Sequence, residues 1–155
     1  MAIKSKKATP HDAQVLMQLY DLRREPVMRK AREFVIGQFW PSSYEEFQSV
    51  MNSFGTEQNA YCRQVLTYWD MAAAMVLEGA LHEELFFKCN GELHFLFAKF
   101  GHHLPQMRKE SGNAEFLSNF EKLATKSSES KARVKRIQQM LKARFGNAAT
   151  AKAAS

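Results

Sequence analysis

The sequence predicts an all-α fold, a multi-helix bundle built around a long antiparallel helical hairpin at about residues 56–79 and 83–102, with an amphipathic basic C-terminal helix. Three observations predict it. Apolar residues recur at three- and four-residue spacing along nearly the whole chain. No segment shows the strict apolar–polar alternation of a half-buried strand. Prolines, glycines and small hydroxyl residues fall where such helices must start and stop.

Thr9-Pro10 opens the first helix, with Thr as N-cap and Pro at a position whose N–H is unused. Val15, Leu16, Leu19 and Leu22 then repeat at helical spacing until Glu25-Pro26 interrupts, because proline donates no hydrogen bond and disfavours helix just before it. A second helix from Pro26 carries Val27, Ala31, Phe34 and Val35 and ends before "WPSS". Ser42 or Ser43 then caps "YEEFQSVMNSF", closed by Gly55. From Thr56, Tyr61, Val65, Tyr68, Ala72, Met75 and Val76 form one stripe, which Leu66, Trp69, Ala73 and Leu77 widen. A helix apolar over so much of its circumference belongs at the centre of a bundle.

Gly79 is the expected terminator, and His82 stands where the next N-cap belongs, with Glu83 and Glu84 favouring the first turn. The following helix is expected to run on to "GHHLP", with Gly91 inside it as a point of close helix packing. "QMRKESGN" reads as a further turn ending at Gly112, and Asn113 as the cap of "AEFLSNFEKLAT". Ser127-Ser128 marks a break before "SKARVKRIQQMLKARF".

These boundaries give a basic disordered N-terminus at 1–8, a bundle domain at 9–126, a basic amphipathic helix at 127–146 and a disordered tail at 147–155. Charge follows the same division. Residues 126–155 hold eight Lys/Arg against one acid, Glu129, whereas residues 9–125 are mildly acidic. The longest apolar run, "MAAAMVL", lies between Asp70 and Glu78, far short of the ~20 residues that cross a bilayer. The N-terminus lacks the apolar block of a secretory signal, so a cytoplasmic chain with no integral membrane segment is expected. Cys62 and Cys89 have no CxxC spacing and read as reduced, semi-buried thiols.

The stretch "MVLEGALHEELFFKCNGELHF", residues 75–95, gathers two histidines, a cysteine and four glutamates. It begins a zinc-protease HExxH at His82-Glu83, but the second histidine position is Phe86. No Glu-x-x-His of a carboxylate-bridged di-iron bundle occurs anywhere. The set Glu78, His82, Glu92 and His94 is a weak metal alternative; no metal and no cofactor are expected. There is no Gly-x-Ser-x-Gly elbow, P-loop or dinucleotide fingerprint, which argues against an enzyme. The aromatics recur inside apolar stripes and read as core rather than as a ligand cage.

Asp70, on a mostly apolar helix beside Trp69, reads as half of a structural ion pair with Arg63, Arg29 or Arg32, with a solvent-facing position or a ligand-binding acid as the alternatives. On the last helix Val134, Ile137, Leu141 and Phe145 form one stripe, able to dock on its own domain or on another chain. Lys131, Arg133, Lys135, Arg136, Lys142 and Arg144 are the partner-binding candidates. The expected function is a non-catalytic interaction or scaffold module that self-associates. The alternative is non-specific binding of nucleic acid or an anionic surface through the basic helix, and the third reading is a metal-dependent protein.

The order "LYDLRREPVMRKAR", then "YWDMAAAMVLEGALHEEL", then "MRKES" and "FLSNFEKLA" resembles an uncharacterised bacterial and archaeal family of all-helical domains of unknown function, over roughly residues 12–125. The resemblance implies a helical fold and a bacterial type of domain. Many members carry a membrane-spanning N-terminus, which does not match this sequence. The family supplies no activity and no site residues.

Overall fold

Thr9 caps the first helix, α1 (Pro10–Arg24), through a reciprocal box: the Thr9 Oγ1 accepts from Asp12 N at 3.3 Å and Asp12 Oδ2 accepts from Thr9 N at 2.7 Å. The structure, a computed structural model, describes residues 7–152, with side chains described as far as Gly146. The expected disordered N-terminus therefore falls largely outside the described residues, as do the last three residues of the expected tail. After α1 come α2 (Pro26–Arg32), a π-helical turn (Glu33–Gln38), α3 (Tyr44–Asn52), α4 (Glu57–Leu77), α5 (Glu83–Cys89) and α6 (Glu92–Phe100). A 3-10 turn (Gly101–His103), α7 (Leu104–Ser111), α8 (Ser118–Ala124) and α9 (Ser128–Lys152) complete the chain. Among the described residues there is no strand, and no helix is long and apolar enough to cross a membrane.

The all-α bundle is thus what forms, with α4 at its centre. Its Val65, Leu66, Trp69, Ala72 and Ala73 are fully buried, and it packs against α2, α3 and α8. Phe47, Phe86, Phe100 and Phe120 complete the interior from α3, α5, α6 and α8. Gly79 ends α4 with φ +75°, a conformation that costs glycine nothing.

The second limb of the expected hairpin is not one helix. It breaks at Asn90–Gly91 into α5 and α6, and the Asn90 amide donates to Phe86 O at 3.0 Å, closing off α5. The break lets α6 turn away from α4 and pack mainly on α9 and α8. Gly91 becomes the start of α6, where the Arg133 side chain lies so near that an added Cβ would be 3.0 Å from its Nη2.

The expected helix after Asn113 also starts late, at Ser118. Asn113 Oδ1 instead accepts from Glu115 N at 3.2 Å, forming a turn, and the buried Leu117 enters α8 with φ +53°. A branched residue in that region is strained by of order 1–3 kcal/mol and persists only when its surroundings hold it. Two side chains do so. Arg108 donates to the carbonyls of Phe116 (2.8 Å) and Leu117 (3.2 Å) and pairs with Glu121. Asp70, from α4, accepts from Phe120 N at 2.8 Å and from the Asn119 amide at 3.3 Å.

This corrects the expectation of an Asp70 ion pair: among the described residues no basic side chain pairs with it. Arg32 pairs with Glu92 instead, Arg63 stacks over Phe54, and the acid that seemed to need a cation caps a helix 50 residues away. The expected end of the last helix at Gly146 is also revised, since α9 continues to Lys152.

Removing this cap has a defined cost. Asp70→Ala should lower unfolding free energy by about 1–2 kcal/mol, and Asp70→Asn, which keeps an acceptor oxygen, should lose visibly less. Thermal and urea melts of the two variants check this; equal damage in both would point to charge rather than acceptance.

Candidate functional site

The stretch that concentrated the suggestive residues meets the root of α9 and encloses a cleft of about 830 Å³. Val76, Leu81 and Phe87 supply its apolar wall; His82, His94, Ser130 and Arg133 supply much of its polar wall.

His82 takes the capping role its position suggested. Its Nδ1 accepts from Leu85 N at 3.1 Å, while its own backbone N–H donates to Asp12 Oδ1 at 2.8 Å. Asp12 thereby ties the start of α1 to the start of α5. Its carboxyl is held down to about 2, first by the Thr9 hydroxyl and then by the Thr9 N–H.

His94 is 1% exposed, beneath the start of α9. Its Nε2 lies 3.3 Å from Ser130 Oγ, its ring rests on Phe87 with centroids 4.8 Å apart, and its Nδ1 has no hydrogen-bond partner among the described residues. Burial, and then the charge of Arg133, push its pKa down to about 4, so the ring is neutral at physiological pH. Glu83 pairs with Lys126, and Glu84 with Lys88 at 2.7 Å. Arg133 is half-buried and has no carboxylate within ion-pair reach among the described residues.

The weak metal set is not brought together. Glu92 points inward, where Arg32 grips it with Nε at 3.0 and 3.1 Å and Nη2 at 2.5 Å, and Trp69 Nε1 donates to it at 3.0 Å. Glu78 is exposed at the end of α4, and His94 is engaged with Ser130. No group of three or more potential ligands converges among the described residues. Cys62 is buried, its thiol pushed up to about 12 by desolvation; Cys89 is exposed rather than semi-buried.

On α9 the apolar stripe docks on the chain's own domain. Val134 is buried, Ile137 packs against the core, and Phe145 stacks on Trp40 with centroids 4.3 Å apart. Lys131, Lys135, Arg136, Lys142 and Arg144 are left exposed, and none pairs with an acid among the described residues.

Two polar features lay beyond sequence reasoning. One is the Arg32–Glu92–Trp69 knot, whose members no motif links. The other is Lys99, 7% exposed, which donates to Val35 O at 2.6 Å and Ile36 O at 3.3 Å and sits 3.6 Å over the Trp40 ring. Burial pushes its pKa down to about 7. The sequence signal that was present, a lysine inside the apolar run "HFLFAKF", marks a buried cation but not its partners.

The chain belongs to a family described as a domain of unknown function (DUF4760), whose model matches residues 8–127. The match covers the bundle and stops at the root of α9. No curated protein and no solved structure matches the chain.

Burial of neutral His94, and of His103, whose pKa is also lowered to about 4, has a pH consequence. A histidine whose folded pKa is depressed contributes stability above its unfolded value. That contribution is lost as pH falls from about 6.5 toward about 4, at up to about 1.4 kcal/mol per pH unit for each proton. Urea midpoints should fall across this window, and His94→Gln should flatten the slope. A midpoint unchanged between pH 7 and 5 would contradict the burial of a neutral ring.

Proposed function

We propose that this chain is a non-catalytic helical interaction domain that holds nucleic acid, without sequence preference, through the cationic surface of α9. The observation that carries this reading is the division of labour on that helix. Its apolar stripe is taken up by α6 and Trp40, while Lys131, Lys135, Arg136, Lys142 and Arg144 are exposed and pair with no acid among the described residues. Surface cations that pair with no acid neutralise phosphates and release counterions, giving affinity that depends on salt and not on sequence. This reading takes the domain to work in the cytoplasm, where nucleic acid is at hand.

A second reading, self-association, draws on the large apolar side chains left exposed on α1 and α2: Met17 at 61%, Leu22 and Val27 at 51% and Tyr20 at 44%. It moves the self-associating surface from α9, whose stripe is occupied, to the opposite end of the sequence.

Deleting α9 is a poor test, because Ser130 and Val134 are buried against the bundle. Reversing Lys135, Arg136, Lys142 and Arg144 to glutamate keeps the docking face intact. With a short labelled DNA duplex, wild-type affinity should fall about 10²–10³-fold between roughly 50 and 200 mM salt, and the reversed variant should not bind. Salt-insensitive binding, or binding only to anionic lipid vesicles, would refute the nucleic-acid reading. Sedimentation across a concentration series of the same proteins separates the second reading, which a strict monomer would eliminate.

A further inference from the structure

We propose that the cleft at the root of α9 binds a small organic oxyanion, a phosphate or carboxylate head on an apolar body, with Arg133 gripping the head. This site is independent of the nucleic-acid surface and uses none of its outward-facing cations.

Arg133 is the first reason. Its guanidinium lies against Gly91, the opening residue of α6, a nine-residue helix with no side-chain cap. A helix N-terminus carries a partial positive charge and free N–H groups, so a guanidinium placed there is repelled unless an anion lies between them. Among the described residues no carboxylate pairs with Arg133. Glu92, at the first position of α6, is turned inward onto Arg32 and Trp69. Glu83 and Glu84 in the cleft wall are paired with Lys126 and Lys88. Glu129, also in the wall, is exposed, so its repulsion of a bound anion is softened by water and salt.

His94 is the second, independent reason. It lines the same cleft, is 1% exposed, and leaves Nδ1 without a hydrogen-bond partner among the described residues. A buried imidazole nitrogen left unsatisfied is destabilising, so such an atom marks a place where a ligand can complete the structure. Ser130, next to it at 3.3 Å, adds a hydroxyl on the first turn of α9. Phe87 lies on the His94 ring, centroids 4.8 Å apart, and both side chains line the cleft.

The chemistry of the remaining wall sets the ligand class. Arg133 offers a planar fork suited to two oxygens of one head group. Val76, Leu81 and Phe87 offer an apolar surface beside it, and about 830 Å³ lies within the range of small-molecule sites. A bare inorganic ion would leave that surface unused.

The test is an amide NMR titration of the full chain with phenyl phosphate, benzoate, inorganic phosphate and neutral benzyl alcohol. Phenyl phosphate or benzoate should give saturable shifts at residues 91–94 and 130–134 and at the Arg133 side chain; the tighter of the two names the head group. Inorganic phosphate should bind roughly tenfold more weakly for want of the apolar body. Arg133→Gln should abolish the shifts while leaving the melting curve and DNA binding in place, and Arg133→Lys should retain a weakened response. Charge reversal at Lys135 and Lys142 should leave the titration unchanged. Shifts that survive Arg133→Gln, benzyl alcohol matching the anions, or no saturable response would each overturn the proposal.

Discussion

The Arg32–Glu92–Trp69 knot is the contact on which the architecture depends. It joins α2, α6 and α4 at one carboxylate, which is 10% exposed, and satisfies both oxygens with a guanidinium fork and an indole N–H. A carboxylate so buried is tolerable only when paired and fully hydrogen-bonded. Glu92 stands at the first position of α6, so its placement fixes how that helix leaves the break at Asn90–Gly91. With Glu92 held inward, Leu93, Leu96, Phe97 and Phe100 enter the core, and α6 presents itself to α8 and α9. The cleft beside His94 exists because α6 takes this direction and does not continue α5.

A second pattern runs through the molecule: polar side chains terminate helices belonging to other parts of the chain. Asp70 caps α8 from α4, and Asp12 holds the N–H of His82 while His82 caps α5. Lys99 closes the carbonyls of the π-helical turn, and Trp40 Nε1 donates to Gly37 O at 3.0 Å in the same place. Arg108 takes two carbonyls ahead of α8. Each contact satisfies backbone groups that a helix end leaves open. The contacts of Asp70, Asp12 and Lys99 also link separate elements, and the caps on α5 and α8, seven residues apiece, help them persist where isolated peptides would not. Side chains that look reactive in the sequence are thereby engaged in holding ends together. Arg133 is the exception: among the described residues it forms no ion pair, and Glu129, the acid beside it in the cleft wall, is exposed.

What the sequence discloses follows from how local the causes are. Thr9-Pro10, Glu25-Pro26, Gly79 and Gly112 set their boundaries through their own backbone preferences, and each boundary is readable from those residues alone. The break at Asn90–Gly91 is hidden because helical spacing of Phe86, Phe87 and Leu93 survives across it. The late start of α8 is hidden because Leu117 is held at positive φ by Asp70 and Arg108 rather than by its own preference. For Asp70 the sequence correctly demands a partner but favours a cation, since a backbone N–H 50 residues away leaves no compositional mark. The cleft is similar: His82, His94 and Arg133 are each singled out in the sequence, yet only the turn of α6 and the docking of α9 bring them to one cavity.

The most direct measurement of the central knot is the Trp69 indole N–H resonance in an 15N-labelled sample. With the indole donating to Glu92 at 3.0 Å inside a fully buried side chain, that proton should exchange with solvent slowly, on the timescale of global unfolding. In Arg32→Gln, which loosens the carboxylate, its protection should drop. An indole proton that exchanges as fast in the wild type as an exposed one, or that is indifferent to Arg32, would contradict the account.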